Sequence, residues 1–175
     1  MRLIIRNKWI SFKGSSYVRD ESDTKDVMQV EGRFWSFTRK KFVKDLQGNV
    51  HYMVRNKFWH LFIKRAFVYD AEGNRICTVR RKFWSFHDRY FIDDCSLGNM
   101  EIMGNILGFD YNITIDGKQI GHISRKISLR DSFILDISDE YEPEFLVALV
   151  IAIDNITDSR KSDSSSSSFS FGSGN

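Results

Sequence analysis

The chain has 175 residues, is 42% hydrophobic and 14% aromatic, and carries a formal net charge of +3. Fifteen Phe and a single Pro exclude a disordered, collagen-like or Pro-rich chain, and the mild positive excess does not by itself argue for nucleic acid or membranes. Two cysteines, Cys77 and Cys95, without C-x-x-C spacing exclude a secreted disulfide framework and suit a reducing cytosol.

Near the start, Leu3-Ile4-Ile5 is too short for a signal peptide, whose apolar core takes ~7–15 residues. From there the chain repeats itself. Asp45-Leu46-Gln47-Gly48-Asn49 returns 25 positions on as Asp70-Ala71-Glu72-Gly73-Asn74. The same shift carries Val54-Arg55 onto Val79-Arg80 and Lys57-Phe58-Trp59 onto Lys82-Phe83-Trp84. Each unit reads as a hairpin. A short β-rich run ends in Asp, a turn with Gly follows where φ > 0 costs little, and a longer run rich in Val, Ile, Tyr and Phe comes next. This template predicts about twelve strands, near 2–10, 16–20, 26–35, 41–46, 49–60, 65–70, 74–84, 89–94, 98–106, 108–116, 118–127 and 131–137. A leucine-rich solenoid has a similar period, but its spaced Leu positions and Asn ladder are missing. Consecutive hairpins favour a meander, and one of this length closes into a barrel.

The pattern breaks at Ser138-Asp139-Glu140-Tyr141-Glu142-Pro143-Glu144, which carries helix-start residues. Phe145 to Ile153 follows with no polar side chain, so a helix is predicted near 142–156. A helix apolar on all sides must be buried on all sides, and a twelve-stranded barrel is too wide for strand side chains alone to fill. The helix is therefore expected inside the barrel; the other reading is one more buried strand. The run is too short for a membrane span, which takes ~20 residues, so no transmembrane segment is expected. Residues 158–175 are rich in Ser and Gly and are expected to form a disordered tail, leaving 1–157 as one domain.

Several pieces recur in a definite order and spacing. They are Ile4-Ile5-Arg6-Asn7-Lys8, Val30-Glu31-Gly32-Arg33-Phe34-Trp35-Ser36, the Gly-Asn turns, Met103 through Tyr111, Ser124-Arg125-Lys126 through Phe133, and Leu146 through Asp154. Together they resemble the LURP-one-related family of the tubby C-terminal-like group, over about residues 1–157. The resemblance implies a mainly β fold: a closed, roughly twelve-stranded antiparallel barrel around a buried hydrophobic C-terminal helix. It implies less about activity. Tubby domains bind phosphoinositide headgroups and the related phospholipid scramblases act at membranes, but no phosphoinositide-binding motif matches here residue by residue.

Catalytic chemistry finds no support in the motifs. His51, His60, His87 and His122 lack metal-ligand spacing, Asp93-Asp94 reads as a turn pair, and Cys77 and Cys95 read as small strand residues. Gly117-Lys118 lacks the rest of a P-loop, and no G-x-S-x-G occurs. No catalytic residue, metal or cofactor is expected. The remaining signal is basic. Strand alternation puts Val54, Phe58, Val79 and Phe83 inside and Arg55, Lys57, Arg80 and Lys82 outside. The same register adds Arg6, Lys8 and Lys126 to the exterior, with Trp59 and Trp84 beside them. Outward cations suit anionic lipid headgroups, at ~1 kcal/mol per Lys or Arg near the surface. Nucleic-acid phosphates are a weaker match, and discouraging edge pairing is the ordinary role of strand lysines. The expected function is a non-enzymatic, cytoplasmic binding or scaffold domain, peripheral at the membrane, that meets anionic phospholipids or a protein partner through this basic face. The alternative is a small-ligand protein or enzyme with a pocket at a barrel mouth.

Overall fold

Alternating apolar and polar residues make each of the expected β-segments a strand in the computed structural model, which describes residues 1–6, 15–32, 40–57, 65–82, 88–105, 110–125 and 132–166. The strands are β1 (Arg2–Arg6), β2 (Ser15–Arg19), β3 (Asp26–Gly32), β4 (Lys41–Lys44), β5 (Val50–Asn56), β6 (Arg65–Tyr69), β7 (Arg75–Arg81), β8 (Asp88–Asp93), β9 (Met100–Asn105), β10 (Asp110–Ile115), β11 (Lys118–Arg125) and β12 (Ser132–Ile137). Each pairs antiparallel with its chain neighbours, and β1 closes on β12 from Arg2↔Asp136 to Arg6↔Ser132, so the meander is a closed barrel. Alternation decides which side faces in: Met28 and Val30 on β3, Ala66 and Val68 on β6, and Tyr90 and Ile92 on β8 are all buried.

The repeated turn is a repeated geometry. Asp45 N donates to Asn49 O at 3.0 Å and Gly48 N to Asp45 O at 3.2 Å; the bonds from Asp70 N to Asn74 O and from Gly73 N to Asp70 O have the same lengths. The Asp side chain then accepts from the Asn backbone, at 2.8 Å in the first turn and 2.7 Å in the second. Gly48 and Gly73 sit at φ 93° and 88°, a region that costs other residues energy.

The chain then enters α1 (Pro143–Ser166). Glu142 O accepts from Leu146 N at 3.3 Å, and Pro143 takes the first helical position, where its missing N–H is no loss. Every residue from Phe145 to Thr157 is buried. The helix packs against β4, β5, β6 and β7 and shares one apolar core with inward residues as far round the wall as Leu3, Val30 and Leu135. The buried run is thus a helix within the barrel rather than a further strand. It is longer than expected: it passes 156 and continues to Ser166, so its last residues fall where the Ser-rich tail was expected to begin.

Candidate functional site

The expected basic residues divide by their partners. Val54 and Val79 are fully buried and Arg55 and Arg80 lie on the opposite, outer side of β5 and β7, as strand alternation requires. Arg80, however, is held in a two-pronged ion pair with Asp93 at 2.6 and 3.1 Å and lies 4.6 Å over the Phe91 ring. The Asp93 hydrogen bond raises the Arg80 pKa above its already high value. Arg55 donates to the Tyr69 hydroxyl at 2.9 Å and stacks 4.8 Å over that ring. Similar cross-strand pairs hold Arg89 to Glu101 at 2.5 Å and Arg19 to Asp26 at 2.7 Å. Carboxylates therefore neutralise Arg19, Arg80 and Arg89, whereas Arg55, held by an uncharged tyrosine, keeps its charge on the outer wall. Lys57 and Lys82 likewise have no carboxylate partner among the described residues and, unlike half-buried Arg55, are exposed, just past the ends of β5 and β7. Arg6 ends β1, and Lys8, Lys126, Phe58, Phe83, Trp59 and Trp84 lie outside the described residues.

The antiparallel order also distributes charge unevenly between the two barrel ends. Odd-numbered strands end, and even-numbered ones begin, at one rim, which carries Lys41, Lys57, Arg65, Arg81 and Lys82. The other rim carries the turns with Asp20, Asp45, Asp70 and Asp116 and the helix start with Glu140 and Glu142, alongside Arg19, Lys25, Arg75 and Lys118, while Asp88 and Asp110 begin β8 and β10 at the first rim. Asp20, Asp45 and Asp70 are there for a local reason, since their carboxylates hold the following backbone, and Asp116 accepts from Asn99 N in the neighbouring turn. Inside the basic rim the lumen closes with a polar layer. Asn56 Nδ2 donates to Asn155 O at 3.2 Å, Tyr90 and Thr157 hydroxyls meet at 3.4 Å, Lys41 pairs with Asp154 at 3.1 Å, and Arg81 pairs with buried Asp88.

The acidic rim holds a feature that motif reading missed. Beside the start of α1 is a cavity of about 400 Å³ lined by Tyr52, Tyr141, Phe145, Ile76, Leu97 and Cys95, together with Ser96, Asp70, Glu140 and Glu142. Tyr52 Oη donates to Glu142 Oε2 at 2.7 Å, and the Tyr52 and Phe145 ring centroids are 5.8 Å apart. Burial, with Glu142 adding to it, makes the Tyr52 hydroxyl harder to ionise. Cys95 is half-buried at the cavity, in the turn after β8, whereas Cys77 is fully buried and burial pushes its thiol well up. A shallower hollow on the outer wall runs past Arg2, His122 and Asp136, but Arg2 pairs with Asp136 at 2.6 Å and His122 with Asp110 at 2.8 Å. Among the described residues no group of three or more His, Cys, Asp or Glu could hold a metal ion. No helix among them is long and apolar enough to cross a membrane.

Comparison with curated proteins and with solved structures finds no match. One family model does match, LURP-one-related, over residues 1–154, which takes in all twelve strands and the buried part of α1 through Asp154. With the closed barrel, its internal helix and this match over nearly the whole described fold, the chain belongs to the LURP-one-related family.

Proposed function

We propose that this is a non-enzymatic binding domain whose basic rim docks on anionic phospholipid surfaces. The observation that carries the reading is an uneven axial distribution of charge, with exposed Lys57 and Lys82 standing without carboxylate partners among the described residues on one rim and most turn carboxylates on the other. A rim presents its cations together to a flat surface, which an outward face on a curved wall does not. Each Lys or Arg brought near such a surface contributes ~1 kcal/mol, and the attraction fades within a Debye length of ~8–10 Å. The same reading has the domain working at the cytoplasmic leaflet, where anionic lipids are concentrated and two free cysteines stay reduced.

Co-sedimentation with phosphatidylcholine vesicles, with and without phosphatidylserine or a phosphoinositide, tests this. Binding that needs the anionic lipid and weakens with added salt supports it. Equal binding to neutral vesicles, or none to anionic ones at low salt, overturns it.

A further inference from the structure

We propose that the cavity at the acidic rim binds a primary alkylammonium group, with the alkyl chain lodged against its aromatic wall. Its volume of about 400 Å³ lies in the range of small-molecule pockets, roughly 300–1,000 Å³. The lining divides into two chemistries. Tyr52, Tyr141, Phe145, Ile76 and Leu97 offer an apolar wall with three rings, and ring faces attract cations. Asp70, Glu140 and Glu142 supply carboxylates, and among the described residues no Lys, Arg or His lines the cavity. An anion would meet only repulsion from these side chains. The start of α1 contributes a positive partial charge, but Glu142 and Glu144 stand at that terminus and offset it.

The arrangement also selects against a bare metal ion. A divalent cation needs several oxygens converging at about 2.0–2.6 Å. Asp70 is already held by Asn74, through its backbone N at 2.7 Å and Nδ2 at 3.0 Å, and Glu142 by Tyr52. Carboxylates fixed on different neighbours around an apolar wall match an elongated cation better than a point charge. The same field is felt by the Tyr52 hydroxyl, whose ionisation is opposed by burial first and then by Glu142, Glu144 and Asp70.

Cys95 supplies the assay, because it lines the cavity while the other cysteine, Cys77, is buried in the core. The rate of Cys95 alkylation by iodoacetamide in the full chain is followed by mass spectrometry at rising concentrations of four probes. Cadaverine represents a free diamine, Nα-acetyl-lysine amide a protein side chain, and pentanol and pentanoate are the neutral and anionic controls. The expected result is saturable protection by at least one cation and none by the controls; the cation that protects at the lower concentration identifies the source. Glu140→Gln with Glu142→Gln, which keeps a hydrogen-bond acceptor for Tyr52, raises the half-protecting concentration about tenfold. Saturation-transfer NMR on cadaverine reads binding directly if Cys95 resists alkylation. Equal protection by pentanol, or no protection and no transfer with either cation at concentrations on the order of 10 mM, overturns the proposal. Lys57→Ala with Lys82→Ala, at the opposite rim, leaves the protection unchanged, so this site and the lipid-docking rim stand or fall separately.

Discussion

Tyr52 on the barrel wall donates its hydroxyl to Glu142 across 2.7 Å while its ring lies 5.8 Å from that of Phe145, so one strand residue ties down both the cap and the first turn of the helix. Tyr52→Phe keeps the ring contact and removes the hydrogen bond, and the expected cost is ~0.5–1.5 kcal/mol in denaturant unfolding. The residue also predicts an alkaline limit. Burial is the leading cause that raises the pKa of Tyr52, Tyr90 and Tyr111 in the fold. A raised pKa means that the folded state holds its proton when the unfolded chain, titrating near ~10, has begun to lose it. This contribution is complete below about pH 10 and is lost as pH rises past it. Unfolding midpoints measured between roughly pH 9 and 11 are expected to fall in the parent and to fall less steeply in Tyr52→Phe. Identical slopes would show that Tyr52 is not held protonated by the fold.

The helix gives a sharper test of central burial. Ile151 is 5% exposed, and neighbouring Leu149 and Ala152 are not exposed at all. Ile151→Asp puts a carboxylate among buried apolar side chains, a change expected to abolish folding at neutral pH. Ile151→Val removes one methylene and is expected to cost ~0.5–1.5 kcal/mol while keeping the barrel. A folded, soluble Ile151→Asp protein by circular dichroism and gel filtration would contradict the placement of the helix inside the barrel.

Gly104 on β9 is constrained by its neighbour strand rather than by a turn. A Cβ there would lie 1.9 Å from Asp110 O and 2.6 Å from Tyr111 Cα, both backbone atoms of β10. Backbone in a paired strand cannot swing aside as a flexible side chain can, so Gly104→Ala must push β9 and β10 apart. The expected loss is at the upper end of the ~1–3 kcal/mol range for overpacking, or beyond it. Gly73→Ala, with open space around the new Cβ but φ at 88°, is expected to be milder, because only local backbone strain opposes it. Thermal melts of the two variants that ranked them the other way would refute this.

The strands were legible because their signals are local. Period-2 alternation and the Asp-x-x-Gly-Asn turn are contained in short windows, and Asp45 and Asp70 duly form matching turns. The buried helix was legible because nine apolar residues in succession leave no polar side to expose. The state of the basic residues was not, since it depends on register between strands. Arg80 and Asp93 are far apart in the window but meet because β7 pairs with β8 with Arg80 opposite Phe91. The cavity escaped for the same reason. Tyr52, Cys95 and Tyr141 come from three separate segments, and the acidic run from Asp139 to Glu144 signals a helix start whether or not a pocket lies beside it.

The twin turns predict matched behaviour. Hydrogen bonds from Asn49 hold the Asp45 carboxyl below the usual carboxylate range, and those from Asn74 do the same for Asp70. A lowered pKa means the contribution is present above the ordinary value near ~3.9 and is lost as pH falls through the lower folded value. Asp45→Ala and Asp70→Ala are each expected to lower the melting temperature at pH 7, by similar amounts, and to narrow the gap to the parent as pH drops below about 4. Clearly unequal shifts at neutral pH would show that the shared hydrogen-bond geometry does not decide the energetics.

The basic rim yields the prediction that separates free from engaged cations. If about 1 kcal/mol per lysine acts at an anionic membrane, Lys57→Ala with Lys82→Ala weakens vesicle binding roughly 30-fold at low salt. Neither lysine side chain has a carboxylate partner among the described residues, and Ala keeps their backbone hydrogen bonds, so the melting temperature is expected to stay near that of the parent. Arg80→Ala should do the reverse. Its guanidinium already faces Asp93 and covers Phe91, so losing it leaves a carboxylate without its partner and strips a ring contact, while removing little charge that a membrane could use. A stability loss with a smaller drop in binding than the lysine pair is therefore expected. If Arg80→Ala instead weakened binding as much as the two lysines together, the outer wall rather than the rim would be the docking surface, and the expectation of a cationic face along β5 and β7 would return.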